Sequence, residues 1–114
     1  MKVHYLEIVT DDVAAVCGSY ESALGVKFNQ KDEVLGGART CCLADGSWVG
    51  VRGLLSETEE PVVRPYYLVD DIEAALSHAQ ACGAEVLHPP LELPDKGTFA
   101  IYRVGLVHHG LWQL

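Results

Sequence analysis

Positive charge is scarce in this chain. Its 114 residues carry eight Lys and Arg against sixteen Asp and Glu, a formal net charge of −8, and the basic residues are scattered from Lys2 to Arg103. A surface that neutralises phosphates needs a stripe of them, so nucleic acid is excluded as a partner. Long apolar runs are missing as well. After Met1-Lys2-Val3-His4-Tyr5 the chain turns polar at Glu7 and Asp11, which excludes the apolar core of a signal peptide and a membrane span, and the expectation is a cytoplasmic protein with no membrane partner. Low-complexity tracts are absent too, and a chain of this length buries roughly two thirds of its unfolded surface, so one packed domain over residues 1–114 is expected. Cys17, Cys41, Cys42 and Cys82 lack C-x-x-C spacing. They read as small core residues in a reducing compartment, with a reactive thiol as the alternative. The acidity reads as solubility or, more sharply, as a field that attracts cationic ligands.

What is present is a pattern met twice. Val3 to Val9 reads as a strand, and Thr10-Asp11-Asp12 as a helix start. Val13, Val16, Cys17, Tyr20, Ala23 and Leu24 then recur at steps of three and four up to Gly25, which stops the helix. Strands are expected at about 26 to 31, 36 to 44 and 47 to 54, with Gly36-Gly37 and Asp45-Gly46 as turns. Residues 55 to 61 lose periodicity and read as an exposed linker between module one (about 1–54) and module two (about 62–114). In the second module Arg64 to Val69 is a strand, and Asp70 with Glu73 starts a helix that carries Ile72, Ala75, Leu76, Ala79 and Cys82. Gly83 ends it, and strands are expected at about 84 to 88, 98 to 104 and 106 to 113, with Pro89-Pro90 and Pro94-Asp95-Lys96-Gly97 in the loop between the first two.

The halves align at an offset of 59, which sets Tyr5 on Arg64, Glu7 on Tyr66 and Asp12 on Asp71, and at 58 by Gly25 and Gly83. Near the ends Gly53-Leu54 answers Gly110-Leu111. A repeat of strand, helix and three strands implies that neither half closes its own sheet.

The run Glu7-Ile8-Val9-Thr10-Asp11-Asp12 with Tyr20 and Leu24-Gly25 resembles the first module of the vicinal oxygen chelate superfamily, which includes glyoxalases, extradiol dioxygenases and bleomycin-resistance proteins. Val69-Asp70-Asp71-Ile72, Gly83-Ala84-Glu85-Val86, Pro89-Pro90, Gly97-Thr98-Phe99-Ala100 and Gly110-Leu111-Trp112-Gln113 resemble the second, and the likeness covers nearly the whole chain. It implies an α+β fold in which two βαβββ modules form a cupped, mixed eight-stranded sheet with two helices on the outer face.

Metal-using members of that superfamily contribute a ligand from the first and last strand of each module. Here those positions are Tyr5 and Arg64, and Gly53 and Gly110. Arg stays protonated, Gly has no side chain and Tyr alone is a poor ligand, so no metal and no cofactor are expected. Strand alternation puts Tyr5, Glu7 and Val9 on one face, and likewise Arg64, Tyr66 and Leu68. His108 and Trp112 share the face of Gly110, and Trp48 and Tyr102 join depending on register. His108 reads as cavity lining or as a structural histidine, while His78 and His88 read as surface residues. The aromatic positions read as core or as a binding surface.

The expected ligand site is therefore Tyr5, Glu7, Trp48, Arg64, Tyr66, Tyr102, His108 and Trp112. The resemblance to the bleomycin-resistance branch implies metal-free capture of a small hydrophobic or aromatic compound, as in antibiotic resistance. Tyr66 and Trp112 would stack on it, Glu7 would meet a cationic group or pair with Arg64, and Arg64 would meet an acceptor. The alternatives are a lyase or dioxygenase, either metal-dependent with ligands elsewhere or cofactor-free with Glu7 or His108 as acid/base, and an interaction subunit whose cup is filled by its own side chains. The same resemblance implies a homodimer. Light scattering at micromolar concentration should then give twice the 12.4 kDa chain mass, and the monomer mass would remove the expectation.

Overall fold

Two short capped helices set the frame. In the computed structural model, which describes Met1–Leu114, Asp12 accepts a hydrogen bond from Ala15 N (3.1 Å) and opens α1 (Val13–Leu24). Gly25, at φ 69°, closes it by donating to Glu21 O. The second helix, α2 (Ile72–Ala81), is capped by Asp71, which accepts from Ala74 N (3.1 Å). The cap is thus one residue later than the Asp70 expected from the sequence, because a short side chain at the N-cap bonds the amide three residues on.

Around these lie eight strands with parallel and antiparallel pairs mixed: β1 (Val3–Val9), β2 (Lys31–Asp32), β3 (Ala38–Cys42), β4 (Trp48–Arg52), β5 (Val62–Leu68), β6 (Glu85–Leu93), β7 (Gly97–Val104) and β8 (Val107–Gln113). The chain forms two compact units. One is Tyr5–Val63, with strand order β2-β3-β4-β1; the other is Arg64–Leu114 with Met1–His4, with order β5-β8-β7-β6. No helix is long and apolar enough to cross a membrane.

In the N-terminal unit α1 covers one sheet face. Ile8, Cys41, Val49 and Val51 from the strands meet Cys17 of α1 and Phe28, and Val13, Val16 and Tyr20 pack around them. Residues of alternate parity point away from the helix: Tyr5, Glu7 and Val9 on β1, with their register partners Trp48, Gly50 and Arg52 on β4. The C-terminal unit repeats the plan. Ile72 and Leu76 of α2 pack on Ala100 and Leu111, with Val86 and Tyr102 at the margin. The opposite face carries Tyr66, Gly110, Trp112, Phe99 and Ile101, and His108 with Arg103.

Several local expectations change. The strand expected at 26 to 31 shrinks to Lys31–Asp32, followed by a 3-10 turn at Glu33–Leu35 that Asp32 caps through Val34 N. Pro89 and Pro90 lie inside β6, not in a loop, at shifts of register against β7 where a missing N–H costs no ladder bond. The turn falls at Pro94–Lys96, where Asp95 takes φ 61° and Lys96 N donates to Leu93 O. Cys42 and Cys82 are exposed, whereas Cys17 and Cys41 are buried in the core, where burial raises the pKa of both thiols.

Each unit also contains a close approach of Tyr to Gly. The Tyr5 ring and hydroxyl occupy the space a side chain on Gly50 would need, and the Tyr66 ring does the same at Gly110. Gly50 is thus the structural counterpart of Gly110, and the sequence match to Gly53, which lies beyond β4, is corrected. Gly110→Ala should destabilise by about 1 to 3 kcal/mol, because it drives a methyl into a buried ring. Gly18→Ala, on an exposed stretch of α1 with nothing near the new methyl, should stabilise by about 0.5 to 1 kcal/mol. Urea denaturation of the two variants checks the contrast.

Candidate functional site

On the face of the N-terminal unit away from α1, the alternation of β4 places Arg52 two residues beyond Gly50, close to Glu7 on β1. Both side chains are buried, at 6% and 8% exposure. Arg52 Nε donates to Glu7 Oε2 (2.8 Å), Nη1 donates to Gly53 O (3.1 Å) and Glu59 Oε1 (2.9 Å), and Nη2 donates to Glu59 Oε2 (2.8 Å). Glu59 also accepts from Leu55 N (2.7 Å), so the stretch expected to be an exposed linker is exposed except at Glu59, which ties it to Arg52. Glu59 and then Glu7 raise the Arg52 pKa further, against the opposing pull of burial. Burial, then Glu7, raises that of the Tyr5 phenol, so Tyr5 is a neutral hydroxyl.

In the C-terminal unit, Arg64 is buried on β5 and its Nη2 lies 3.1 Å from His108 Nδ1 on β8. A guanidinium only donates, so Nδ1 accepts and the neutral imidazole carries its proton on Nε2. Burial, then Arg64 and Arg103, lowers the His108 pKa. Arg103 is the register partner of His108 on β7 and forms an ion pair with Glu85 of β6. Further along the face Tyr66 meets Trp112 edge-on (5.8 Å) and Phe99 edge-on (6.2 Å), and His88 stacks on Phe99 (4.8 Å). Trp112 donates from Nε1 to Lys96 O (3.1 Å) and has the His4 ring against it (5.6 Å). Tyr66 and Trp112 are both 4% exposed, whereas Phe99, Ile101, His88, His108 and Arg103 are half-exposed.

The structure thus joins Tyr5, Glu7 and Trp48 on one face of the N-terminal unit, and Arg64, Tyr66, His108 and Trp112 on one face of the C-terminal unit. Tyr102 is a correction: its register partner is His109, on which it stacks (5.1 Å), and it belongs to the α2 side. His88 is a second, being a strand residue on the aromatic face and not an ordinary surface histidine. Arg52, Glu59, Phe99 and Arg103 were missed. Arg52 was open to detection, since Trp48, Gly50 and Arg52 alternate along one short strand; Glu59 carried no such signal.

No group of three or more His, Cys, Asp and Glu is placed to hold a metal ion. At the positions a metal centre would use stand a neutral phenol, a guanidinium and two glycines covered by tyrosine rings. These residues do not fit a metal.

No family model matches the sequence, and no curated protein matches it either. Solved structures do match. A hypothetical protein from Bacillus halodurans C-125 superposes with a TM-score of 0.72 at 15% identity, covering 99% of this chain and 94% of that one. Methylmalonyl-CoA epimerase from Mycobacterium tuberculosis gives 0.70 at 14%, covering 96% and 85%. A point variant of the Streptomyces coelicolor methylmalonyl-CoA epimerase, in complex with 2-nitronate-propionyl-CoA, gives 0.67 at 15%, covering 99% and 96%. The chain shares the fold of these epimerases. The candidate site rests on the guanidinium, imidazole and aromatic groups described above.

Arg52→Ala breaks a buried ion pair with Glu7 and a second with Glu59 and should cost about 3 to 5 kcal/mol, against a smaller loss for Glu59→Gln at the more exposed end. Protonation gives an independent check. His108 and His4 both have folded pKa values below 6.5, so their contribution is complete above about pH 6.5. As pH falls through that value the unfolded chain takes up protons that the folded one refuses, and stability drops. Denaturation midpoints at pH 7.5 and 5.5 should differ in that sense, with a smaller difference in His108→Gln; equal midpoints in the parent contradict it.

Proposed function

We propose that the protein binds a small aromatic compound without a metal, on the face of the C-terminal unit that α2 leaves uncovered. The observation that carries this reading is the half-exposed row of Phe99, Ile101, His88 and His108 beside buried Tyr66 and Trp112. It offers apolar and aromatic area for a planar ligand and a fixed donor for its orientation. Phe99 and His88 take the stacking role first given to Tyr66 and Trp112, which support them from beneath. Tyr5 and Glu7 serve the framework through Gly50 and Arg52, and Trp48 lies on their face. The action is capture, in a cytoplasmic homodimer, of the kind that protects a target from a toxic planar compound.

A second reading is enzymatic. The structural neighbours include methylmalonyl-CoA epimerases, among them one in complex with 2-nitronate-propionyl-CoA, and a neutral His108 is suited to moving a proton. The same face would then hold an acyl group, and turnover of the library compounds or of acyl-CoA esters would favour this reading over capture.

Thermal-shift screening of a planar aromatic library, with elemental analysis of the dialysed protein, tests the proposal. Saturable rises in melting temperature are expected, together with no stoichiometric divalent metal. Phe99→Ala should weaken the best binder about tenfold or more. No shift from any compound, or near one equivalent of bound metal per chain, contradicts it.

A further inference from the structure

Strand β6 carries two extra residues against β7, and both re-aim side chains. Val86 pairs with Tyr102 on the α2 side, His88 with Ile101 and Leu91 with Phe99, so β6 advances two residues against one on β7, then three against two. Plain alternation from Val86 would turn His88 toward α2. The first bulge turns it to the other face, where it stacks on Phe99 (4.8 Å), and the second, at Pro89-Pro90, brings Leu91 to that face as well. The second bulge also fixes the His88 ring, whose Nδ1 lies 2.7 Å from the carbonyl oxygen of Pro89. A carbonyl only accepts, so Nδ1 donates and the neutral imidazole presents Nε2 as an acceptor. His108 has the opposite arrangement, because its Nδ1 accepts from Arg64 and its Nε2 carries the proton. Ile101 stands on the strand between them: it pairs with His88 on β6 and with Gly110 on β8, and His108 is two residues before Gly110 on the same face.

From this pair of histidines we infer that the ligand is a fused two-ring aromatic compound with a hydrogen-bond donor at one edge, met by His88 Nε2, and an acceptor at the other, met by His108 Nε2–H, its rings seated on Phe99 and Ile101. The inference rests on the binding reading above and adds the size and hydrogen-bonding pattern of the ligand. His88 and His108 are two strands and two residues apart, which at about 4.8 Å per strand and about 7 Å per residue pair separates them by about 12 Å. With side chains upright from the sheet and a hydrogen bond of about 2.9 Å at each end, about 6 Å remains between the polar atoms of the ligand, more than a single ring spans. Leu91, 48% exposed, extends the apolar floor on the β6 side. The polar partners of the ligand are thus the two histidines and not Glu7, which accepts from Arg52.

Three probes of one shape, titrated into the full chain at pH 7.5, test this. In 6-hydroxyquinoline a hydroxyl donor sits on one ring and a nitrogen acceptor on the other; 2-naphthol lacks the nitrogen, and quinoline lacks the hydroxyl. The first should bind about fivefold or more tightly than either of the others, since each of them leaves one hydrogen bond unmade. His88→Phe keeps a ring on Phe99 and removes the acceptor, so it should erase the advantage over quinoline and keep the advantage over 2-naphthol. Nitrogen-15 NMR of the free protein should find the His88 proton on Nδ1. Binding of 2-naphthol or quinoline as tightly as 6-hydroxyquinoline overturns the hydrogen-bond assignment and leaves aromatic capture standing. An advantage over quinoline that survives in His88→Phe, or a proton on His88 Nε2 in place of Nδ1, overturns the part given to His88. Failure of all three probes to bind overturns both this inference and the reading beneath it.

Discussion

A guanidinium cannot shed its proton, so an arginine taken out of water has to be surrounded by acceptors. This chain buries two, Arg52 and Arg64, at 6% exposure each and one per unit. Much of the polar architecture follows from how each is answered. Around Arg52 the answer is internal: Glu7 from β1, the carbonyl of Gly53 and both oxygens of Glu59, the one residue of 55–61 that reaches it. Around Arg64 one acceptor is the imidazole of His108, a neutral group whose second nitrogen thereby becomes a donor.

This difference gives the two units different capacities although they share a plan of strand, helix and three strands. In the N-terminal unit the buried cation is compensated by carboxylates, and its neighbours Tyr5 and Gly50 are locked by a close approach. The C-terminal face combines the Arg64–His108 pair with half-exposed Phe99 and Ile101.

Much of the fold was legible in the sequence because its signals are local. The caps Asp12 and Gly25, the stripe from Val13 to Leu24 and the turn at Asp45-Gly46 each decide a boundary through bonds spanning a few residues. Parity was legible too, and it set Tyr5 with Glu7, Arg64 with Tyr66, and His108 with Trp112 on shared faces, while Trp48 was left to register. What failed depended on contacts far apart in sequence. The equivalence of Gly53 and Gly110 missed because register, which pairs Glu7 with Gly50, is not carried by either strand alone. Tyr102 fell on the wrong face for the same reason. Pro89-Pro90 looked like a loop because proline removes a donor, yet shifted pairing accommodates both residues in β6. Alternation along β4 could place Arg52 on its face, but its bond to Glu7 spans 45 residues of sequence and no local pattern carries that pairing.

The state of one imidazole concentrates these arguments, because the charge of Arg64, the direction of the His108 donor and the chemistry of the face all meet there. Nitrogen-15 NMR of the free protein, with the ring nitrogens of His108 resolved at pH 7.5, reads it directly. The account predicts a neutral ring with its proton on Nε2 and a bare Nδ1 accepting from Arg64. A proton on Nδ1, or a doubly protonated ring at that pH, would contradict it.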